Sequence, residues 1–314
     1  MRYRTILTLL FLFSTSSLYA QSDKDLGEFG LYESVENETE ENPKGENSVS
    51  IGLKLEFQGG RKLSEEIWTK IHEADGKIFS FRDVKFTKED RAHFQKLEEV
   101  KEISFTRCEG LKNLIPILPE MLMLERLSFV DCEYLSNEKS FSQIQGLKYL
   151  RLTKGWDLKE LPTLDHVETL NLQGATVYDR DLALVAEKFP KLKKLTLANT
   201  FINGQNLDDL SALQIEELWL NCTPLYQPNL VNLKGFKSLR TLVLNQYMEG
   251  QQYIVSLDSI LLVARLESLR NLFLMVPYEE TQGKKEIKLG IEAAGALNSE
   301  LVIHNIWEKT PKDF

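Results

Sequence analysis

Cysteine is scarce. The 314 residues hold three, Cys108, Cys132 and Cys222, too few and too irregularly spaced for the disulfide framework that holds small secreted domains together. The fold must rest on an apolar core. Histidine is as thin, with four residues, His72, His93, His166 and His304, no H-E-x-x-H spacing and no Cys/His cluster suited to zinc. The sequence also lacks a G-x-S-x-G elbow, a P-loop and a G-x-G-x-x-G fingerprint, and no pair of carboxylates stands out for acid–base work. The chain therefore reads as a non-enzyme that needs no cofactor or metal. Basic charge is short too: 38 Lys and Arg stand against 47 Asp and Glu, a net charge of −9, the opposite of the basic footprint a nucleic-acid partner requires. Finally, no apolar run approaches the roughly 20 residues of a membrane-spanning helix.

What is present begins with an export signal. Residues 1–20 carry Arg2 and Arg4, an apolar run from Ile6 to Phe13 and the ending Leu18-Tyr19-Ala20, the layout of a secretory signal peptide. The expectation is cleavage after Ala20, no lipid attachment and no membrane insertion, giving a soluble product that is secreted or periplasmic. Residues 21–50 follow with nine acidic residues against Lys24 and Lys44, a charge of −7. Few of them are apolar, so the segment reads as a disordered acidic leader. It is either a solvated spacer or, through Leu26, Phe29, Leu31, Tyr32 and Val35, a short docking strip. Without Arg2 and Arg4 the charge is −9 − 2 = −11, which leaves −4 for everything beyond the leader.

From about residue 76 an apolar pattern L-x-x-L-x-L recurs, as in Leu124-x-x-Leu127-x-Phe129, Leu147-x-x-Leu150-x-Leu152, Leu192-x-x-Leu195-x-Leu197 and Leu269-x-x-Leu272-x-Leu274. The second apolar position falls at Phe79, Ile103, Leu127, Leu150, Leu170, Leu195, Leu218, Leu242, Leu272 and Leu301, with gaps of 24, 24, 23, 20, 25, 23, 24, 30 and 29 residues. Leu55 and Phe57 lie one further 24-residue step upstream and suggest an eleventh unit. Periods of roughly 20–29 residues are those of leucine-rich repeats. The chain resembles that family over about residues 50–306, and the earlier export signal makes it look like an exported bacterial member with irregular repeats. The resemblance implies an α/β fold: a right-handed solenoid over residues 51–314 with short parallel strands on a concave face and a mixed convex side of helices, 3₁₀ turns and loops. One repeat cannot bury its own apolar marks, which must stack on those of its neighbours about 4.8 Å away.

The family's usual Asn or Cys at the ninth position is met here by Cys108 and Cys132 alone, the other ninth positions being Val84, Gly155, Ala175, Thr200, Thr223, Tyr247, Pro277 and Ile306. Irregular turns are therefore expected. Cys108 and Cys132 should lie one strand spacing apart, either as packed thiols or as an inter-repeat disulfide. Among the connections, Leu182, Val185, Ala186 and Phe189 have helical spacing after Asp179, a candidate N-cap, with Pro190 as terminator. Leu63, Ile67 and Ile71 form a second helical set. Thr87-Lys88-Glu89-Asp90 approximates a capping box, and the stretch from Leu114 to Met123, with Pro116 and Pro119, is too broken for a regular helix.

The residue inside each L-x-L faces the concave side, which builds a column of Ser80, Ser104, Ser128, Arg151, Asn171, Thr196, Trp219, Val243, Phe273 and Val302. Its last four members form an apolar ridge, and Trp219, Val243, Phe273 and Val302 are the first candidates for binding a protein partner. The ridge is either exposed or covered by the chain itself, because two inserts, about 247–258 and 277–288, adjoin it. A second, more polar patch of Lys148, Tyr149, Arg151, Lys154 and Trp156 would suit a glycan or an acidic segment. The leading function is protein binding through the concave face; the alternative is a surface or envelope adhesin for glycan.

Overall fold

The structure is a computed structural model and describes residues 32–39, 49–58, 62–73, 77–97, 99–133, 139–154, 156–244, 247–248, 251–252, 255–274 and 282–305. The signal peptide read over residues 1–20 lies outside them. In chain order the strands are β1 (Tyr32–Thr39), β2 (Val49–Gln58), β3 (Ile78–Arg82), β4 (Glu102–Thr106), β5 (Arg126–Val130), β6 (Tyr149–Leu152), β7 (Thr169–Asn171), β8 (Lys194–Thr196), β9 (Glu217–Trp219), β10 (Thr241–Val243), β11 (Tyr247–Met248), β12 (Gln251–Gln252), β13 (Asn271–Leu274) and β14 (Val302–Asn305). The helices are α1 (Glu65–Glu73), α2 (Asp90–Phe94), α3 (Leu182–Lys188), α4 (Leu257–Ala264) and α5 (Gln282–Leu297). Short 3₁₀ helices, among them Leu111–Asn113, Ile115–Glu120 and Leu207–Leu210, fill other connections.

Twelve strands form one sheet in sequence order, β1 to β10 and then β13 and β14. From β2 onward neighbouring strands are parallel. This is a leucine-rich-repeat type of solenoid, with the mixed convex side that the broken connections imply. No helix among the described residues is long and apolar enough to cross a membrane.

The register follows the apolar marks. Leu55, Phe79, Ile103, Leu127, Leu150, Leu170, Leu195, Leu218, Leu242 and Leu272 are consecutive Cα partners across the sheet, so the unit at Leu55 is a true repeat. The marks from Ile103 to Leu272 are fully buried. In the N-terminal repeats the third apolar position is phenylalanine, and Phe81, Phe105 and Phe129 stack at 5.7 and 5.4 Å between centroids. Aromatic rings at strand spacing fill these repeats, whereas leucine fills the later ones.

Two expectations need correction here. The leader is not structureless throughout, because Tyr32–Thr39 pairs antiparallel with β2, from Tyr32 opposite Glu56 to Thr39 opposite Val49. Composition measures what side chains can bury, but strand addition is made by backbone groups that any charged residue supplies. The turns are also more regular than the ninth positions imply. Asp83, Arg107, Asp131, Gly174, Asn199 and Cys222 all adopt left-handed backbone, with φ between 51° and 74°. The residue after each, Val84, Cys108, Cys132, Ala175, Thr200 or Thr223, turns into the core. No asparagine ladder is needed, since Cys108 Sγ donates to Phe81 O (3.3 Å), Cys132 Sγ to Phe105 O (3.4 Å), Thr200 Oγ1 to Leu197 O (2.6 Å) and Thr223 Oγ1 to Leu220 O (2.7 Å). Small polar side chains thus satisfy buried carbonyls whichever residue type is used.

Capping follows the sequence only in part: the cap position of α2 is Glu89, without a side-chain capping bond, and only the return half of the Thr87–Asp90 box forms. Asp90 Oδ2 accepts from Thr87 N (2.6 Å) and Thr87 Oγ1 (2.9 Å), while its Oδ1 accepts from Trp68 Nε1 (2.8 Å) and ties α1 to α2. Asp179 is not the cap of α3. Its carboxylate reaches the next repeat, accepting from Asn203 N (2.8 Å) and Asn206 N (3.4 Å), while Asp181 accepts from Tyr178 N (2.9 Å). The two inserts also resolve differently from plain loops. The first holds the β11–β12 pair and the start of α4, and the second holds the first residues of α5, whose 16 residues lengthen that repeat.

Candidate functional site

The concave face is built of two side-chain columns set by the parallel register. One runs Ser80, Ser104, Ser128, Arg151, Asn171, Thr196, Trp219, Val243 and Phe273. The other, two residues earlier on each strand, runs Glu102, Arg126, Tyr149, Thr169, Lys194, Glu217, Thr241 and Asn271.

Val302 is not where the spacing puts it. Phe273 pairs with His304 and Asn271 with Val302, so the last mark is Ile303, 303 − 272 = 31 residues after Leu272. The cause is the turn before β14. Leu301 N donates to Asn298 O (3.1 Å), as Leu269 N does to Leu266 O (3.0 Å). Leu301 therefore occupies the first apolar position, and one residue fewer separates it from the strand. Val302 is exposed and belongs to the second column. His304 stacks on Phe273 at 4.4 Å between centroids, and its Nε2 lies 3.0 Å from Asn271 Oδ1.

Burial holds the His304 imidazole below its ordinary value of 6.5. The unfolded chain then binds more protons than the folded one as pH falls through 6.5 toward the depressed folded value, so stability drops over that window. Amide exchange at Ile303 and His304, corrected for intrinsic rates, should quicken between about pH 7 and pH 5.5. Exchange indifferent to pH there would contradict the burial of the ring.

The apolar ridge is largely closed. Trp219 is 8% exposed and Val243 4%, and Phe273 is half-buried. Trp219 Nε1 donates to Glu217 Oε1 (2.6 Å), whose other oxygen is 3.4 Å from Lys194 Nζ. Trp219 and Val243 are thus buried side chains rather than exposed anchors. Trp219→Ala should therefore cost about 3 kcal/mol of stability, as truncation of a buried aromatic does. An unchanged melting curve would return Trp219 to the class of free surface anchors.

The polar patch is assembled only in part. Tyr149 and Arg151 share the concave face, and Asn171 Nδ2 lies 3.5 Å from Tyr149 OH. Arg126 stands 3.9 Å over the Tyr149 ring and holds Glu102 Oε2 at 2.7 Å from its Nε. Lys148 instead sits just before the strand, 3.8 Å from Glu125, and Lys154 lies past the strand end, exposed. Trp156 does not belong to the patch. Its ring packs on the core, 5.1 Å from Phe129 and 5.7 Å from Phe141.

Cys108, Cys132 and Cys222 are free thiols in this structure, and the first two are packed in consecutive turns. The hydrogen bond with Cys132, and next its burial, push the Cys108 thiol far above the ordinary cysteine range, which makes it unreactive. No group of three or more His, Cys, Asp or Glu among the described residues could hold a metal ion.

One surface escapes the column reading. Tyr178, Phe201 and Tyr226 are exposed on successive repeats just beyond the turns, and they are the only aromatics among the large apolar side chains exposed in the described residues. Tyr178 and Phe201 stack at 5.1 Å, with Arg180 5.0 Å over Tyr178. The 23-residue interval between Tyr178 and Phe201 was the available signal, but it says nothing of exposure.

No protein-family model matches the sequence, and a search of curated proteins finds no match. Among solved structures, the chain is similar to one in the crystal structure of the TLR13–ssRNA13 complex, with 16% identity and a TM-score of 0.44 over 73% of this chain and 32% of that one. It is also similar to the internalin inlF from Listeria monocytogenes, with 14% identity and a TM-score of 0.40 over 76% of each chain. A third similarity is to the Drosophila Toll–Spatzle complex, with 11% identity and a TM-score of 0.40 over 78% of this chain and 36% of that one. The chain thus spans about a third of the length of the first and the third of these and about three quarters of the internalin.

Proposed function

We propose that this protein is an exported binding module that receives a protein partner on its concave sheet, centred on β5 to β8 rather than on the Trp219 ridge. The observation that carries the reading is the placement of Arg126, Tyr149, Arg151 and Lys194 on one face of strands whose opposite face is fully buried. Side chains mounted on a locked backbone lose little freedom on binding, and Arg and Tyr are the residues that most often anchor protein interfaces. A glycan partner has less support, because Trp156 faces the core and Arg126 already covers one face of the Tyr149 ring. Export, resting on residues 1–20, places the partner in the periplasm or outside the cell.

The test uses a native partner isolated with the mature protein as bait. Tyr149→Ala and Lys194→Ala should each weaken its binding about tenfold or more, the effect of losing an interface anchor, with melting temperatures essentially unchanged. Glu187→Ala, on the exposed side of α3, should do nothing. If the concave variants bind as well as the parent, the partner site lies elsewhere, and the Tyr178–Phe201 edge becomes the next surface to test.

A further inference from the structure

On β4 to β9 the charges of the two columns come in pairs, with one exception. Glu102 is matched to Arg126 at 2.7 Å and Glu217 to Lys194 at 3.4 Å. Arg151 stands between these pairs, flanked in its column by Ser128 and Asn171, both buried. Its Nε is shut off from solvent and has no hydrogen-bond partner, and no acidic residue among the described ones pairs with its guanidinium. A buried N–H on a cation without an acceptor is unfavourable and rare in native proteins. It stands on the face already assigned to the partner.

Resting on the concave-face reading, we propose that Arg151 is the receptor for one isolated carboxylate of the partner, an Asp or Glu side chain held end-on by the two Nη groups. The fork of a guanidinium matches the two oxygens of a carboxylate. One unpaired cation balances one negative charge, whereas a phosphate dianion would need a second, and Arg126, on the adjacent strand, is committed to Glu102. Glu102 lies two strands from Arg151 and Glu217 three strands away on the other side, roughly 10 and 15 Å by strand spacing. Both acids are already matched, by Arg126 and Lys194, which leaves a second acid no unpaired cation in these columns, so the carboxylate that fits is set among uncharged residues, not within an acidic tract.

The experiment selects phage-displayed random 12-residue peptides on the immobilised full chain. The enriched peptides should share one Asp or Glu flanked by uncharged residues. Changing that residue to Asn or Gln should weaken binding at least about tenfold, as removing one partner of a desolvated charge pair does. Arg151→Glu should lose these peptides and accept versions carrying Lys at the same position, and Arg151→Lys, which keeps the charge but not the fork, should show an intermediate loss. Melting curves of the variants, expected to match the parent, separate binding from folding. Peptides that bind through Tyr149 but need no acid would overturn the carboxylate and leave the concave-face reading standing. A phosphoserine in place of the acid that bound more tightly would also overturn it, in favour of phosphate. Enrichment of no peptide would sink both.

Discussion

Leu195→Asp should unfold the middle of the solenoid. Leu195 is fully buried, with Leu170 and Leu218 as its register neighbours, themselves fully buried. Truncating a buried leucine costs about 2–5 kcal/mol, and a carboxylate left in that position without a counterion adds several more. Together these rival the whole stability of a typical domain, about 5–15 kcal/mol. In a solenoid each repeat leans only on its neighbours, so the loss should uncouple the repeats before β8 from those after it. Circular dichroism should record a large fall in melting temperature or a split transition. Lys194→Asn, one residue away on the opposite face, should leave the melt nearly intact. A wild-type melt for Leu195→Asp would mean that the strand register is wrong.

Gly110→Ala should be almost as damaging, although it adds only a methyl group. Gly110 has φ +73°, and a Cβ there would lie 2.0 Å from Phe86 O and 2.9 Å from Phe86 C. Both atoms are backbone, so no side chain can swing aside. To make room, the chain must break the contacts that bind this turn to the preceding repeat: Glu109 N to Val84 O (2.9 Å), Phe86 N to Glu109 O (2.9 Å) and Asn113 Nδ2 to Phe86 O (3.4 Å). At about 1 kcal/mol for each hydrogen bond, and about 1–2 kcal/mol for a left-handed non-glycine residue, the loss is about 4 kcal/mol. Gly174→Ala is the matched control, because its φ is +74° but the nearest atom to an added Cβ is 3.9 Å away. It should carry the left-handed term alone. Equal destabilisation of the two variants, measured by urea unfolding, would show that close approach is not what selects glycine at position 110.

The neighbouring left-handed residues bring an electrostatic contact that no repeat pattern announces. Arg107 Nε and Nη2 donate to Asp83 Oδ1 (2.7 Å) and Oδ2 (2.6 Å), and these hydrogen bonds lower the Asp83 carboxyl below its usual value. The contribution is present above the ordinary carboxylate range and fades as pH falls through the depressed value. Because both groups are partly exposed, it is a small one.

The repeat itself was legible because stacking imposes it. Each apolar mark must meet the same mark of the next unit, so period, register and concave column could be counted from Phe79 to Leu272. The count slipped at the end, where the turn from Asn298 to Leu301 takes up the first apolar position and hands the strand's mark to Ile303. Spacing cannot register such a turn, because it reads residue type and not hydrogen bonding. Tyr149 and Arg151 were legible as concave residues by the alternation of a strand. Trp156 was not legible as core, since a residue just past a strand has no fixed facing, and only the pocket left by Phe129 and Phe141 turned it inward.

The sequence by itself determined the solenoid, the repeat boundaries as far as Leu272, the absence of catalytic and zinc motifs, and which residues stand on the concave strands up to β13, because these follow from composition and from a period of side-chain burial along the chain. Only the tertiary structure decided that Trp219 and Val243 are covered, that Arg126 pairs with Glu102 while Arg151 is left without an acceptor, and that Tyr178 and Phe201 stack in the open. Those outcomes depend on distances between repeats 20 to 25 residues apart in sequence. Burial and pairing are properties of neighbours in space, and a one-dimensional period fixes which strands are neighbours without fixing what their side chains leave uncovered.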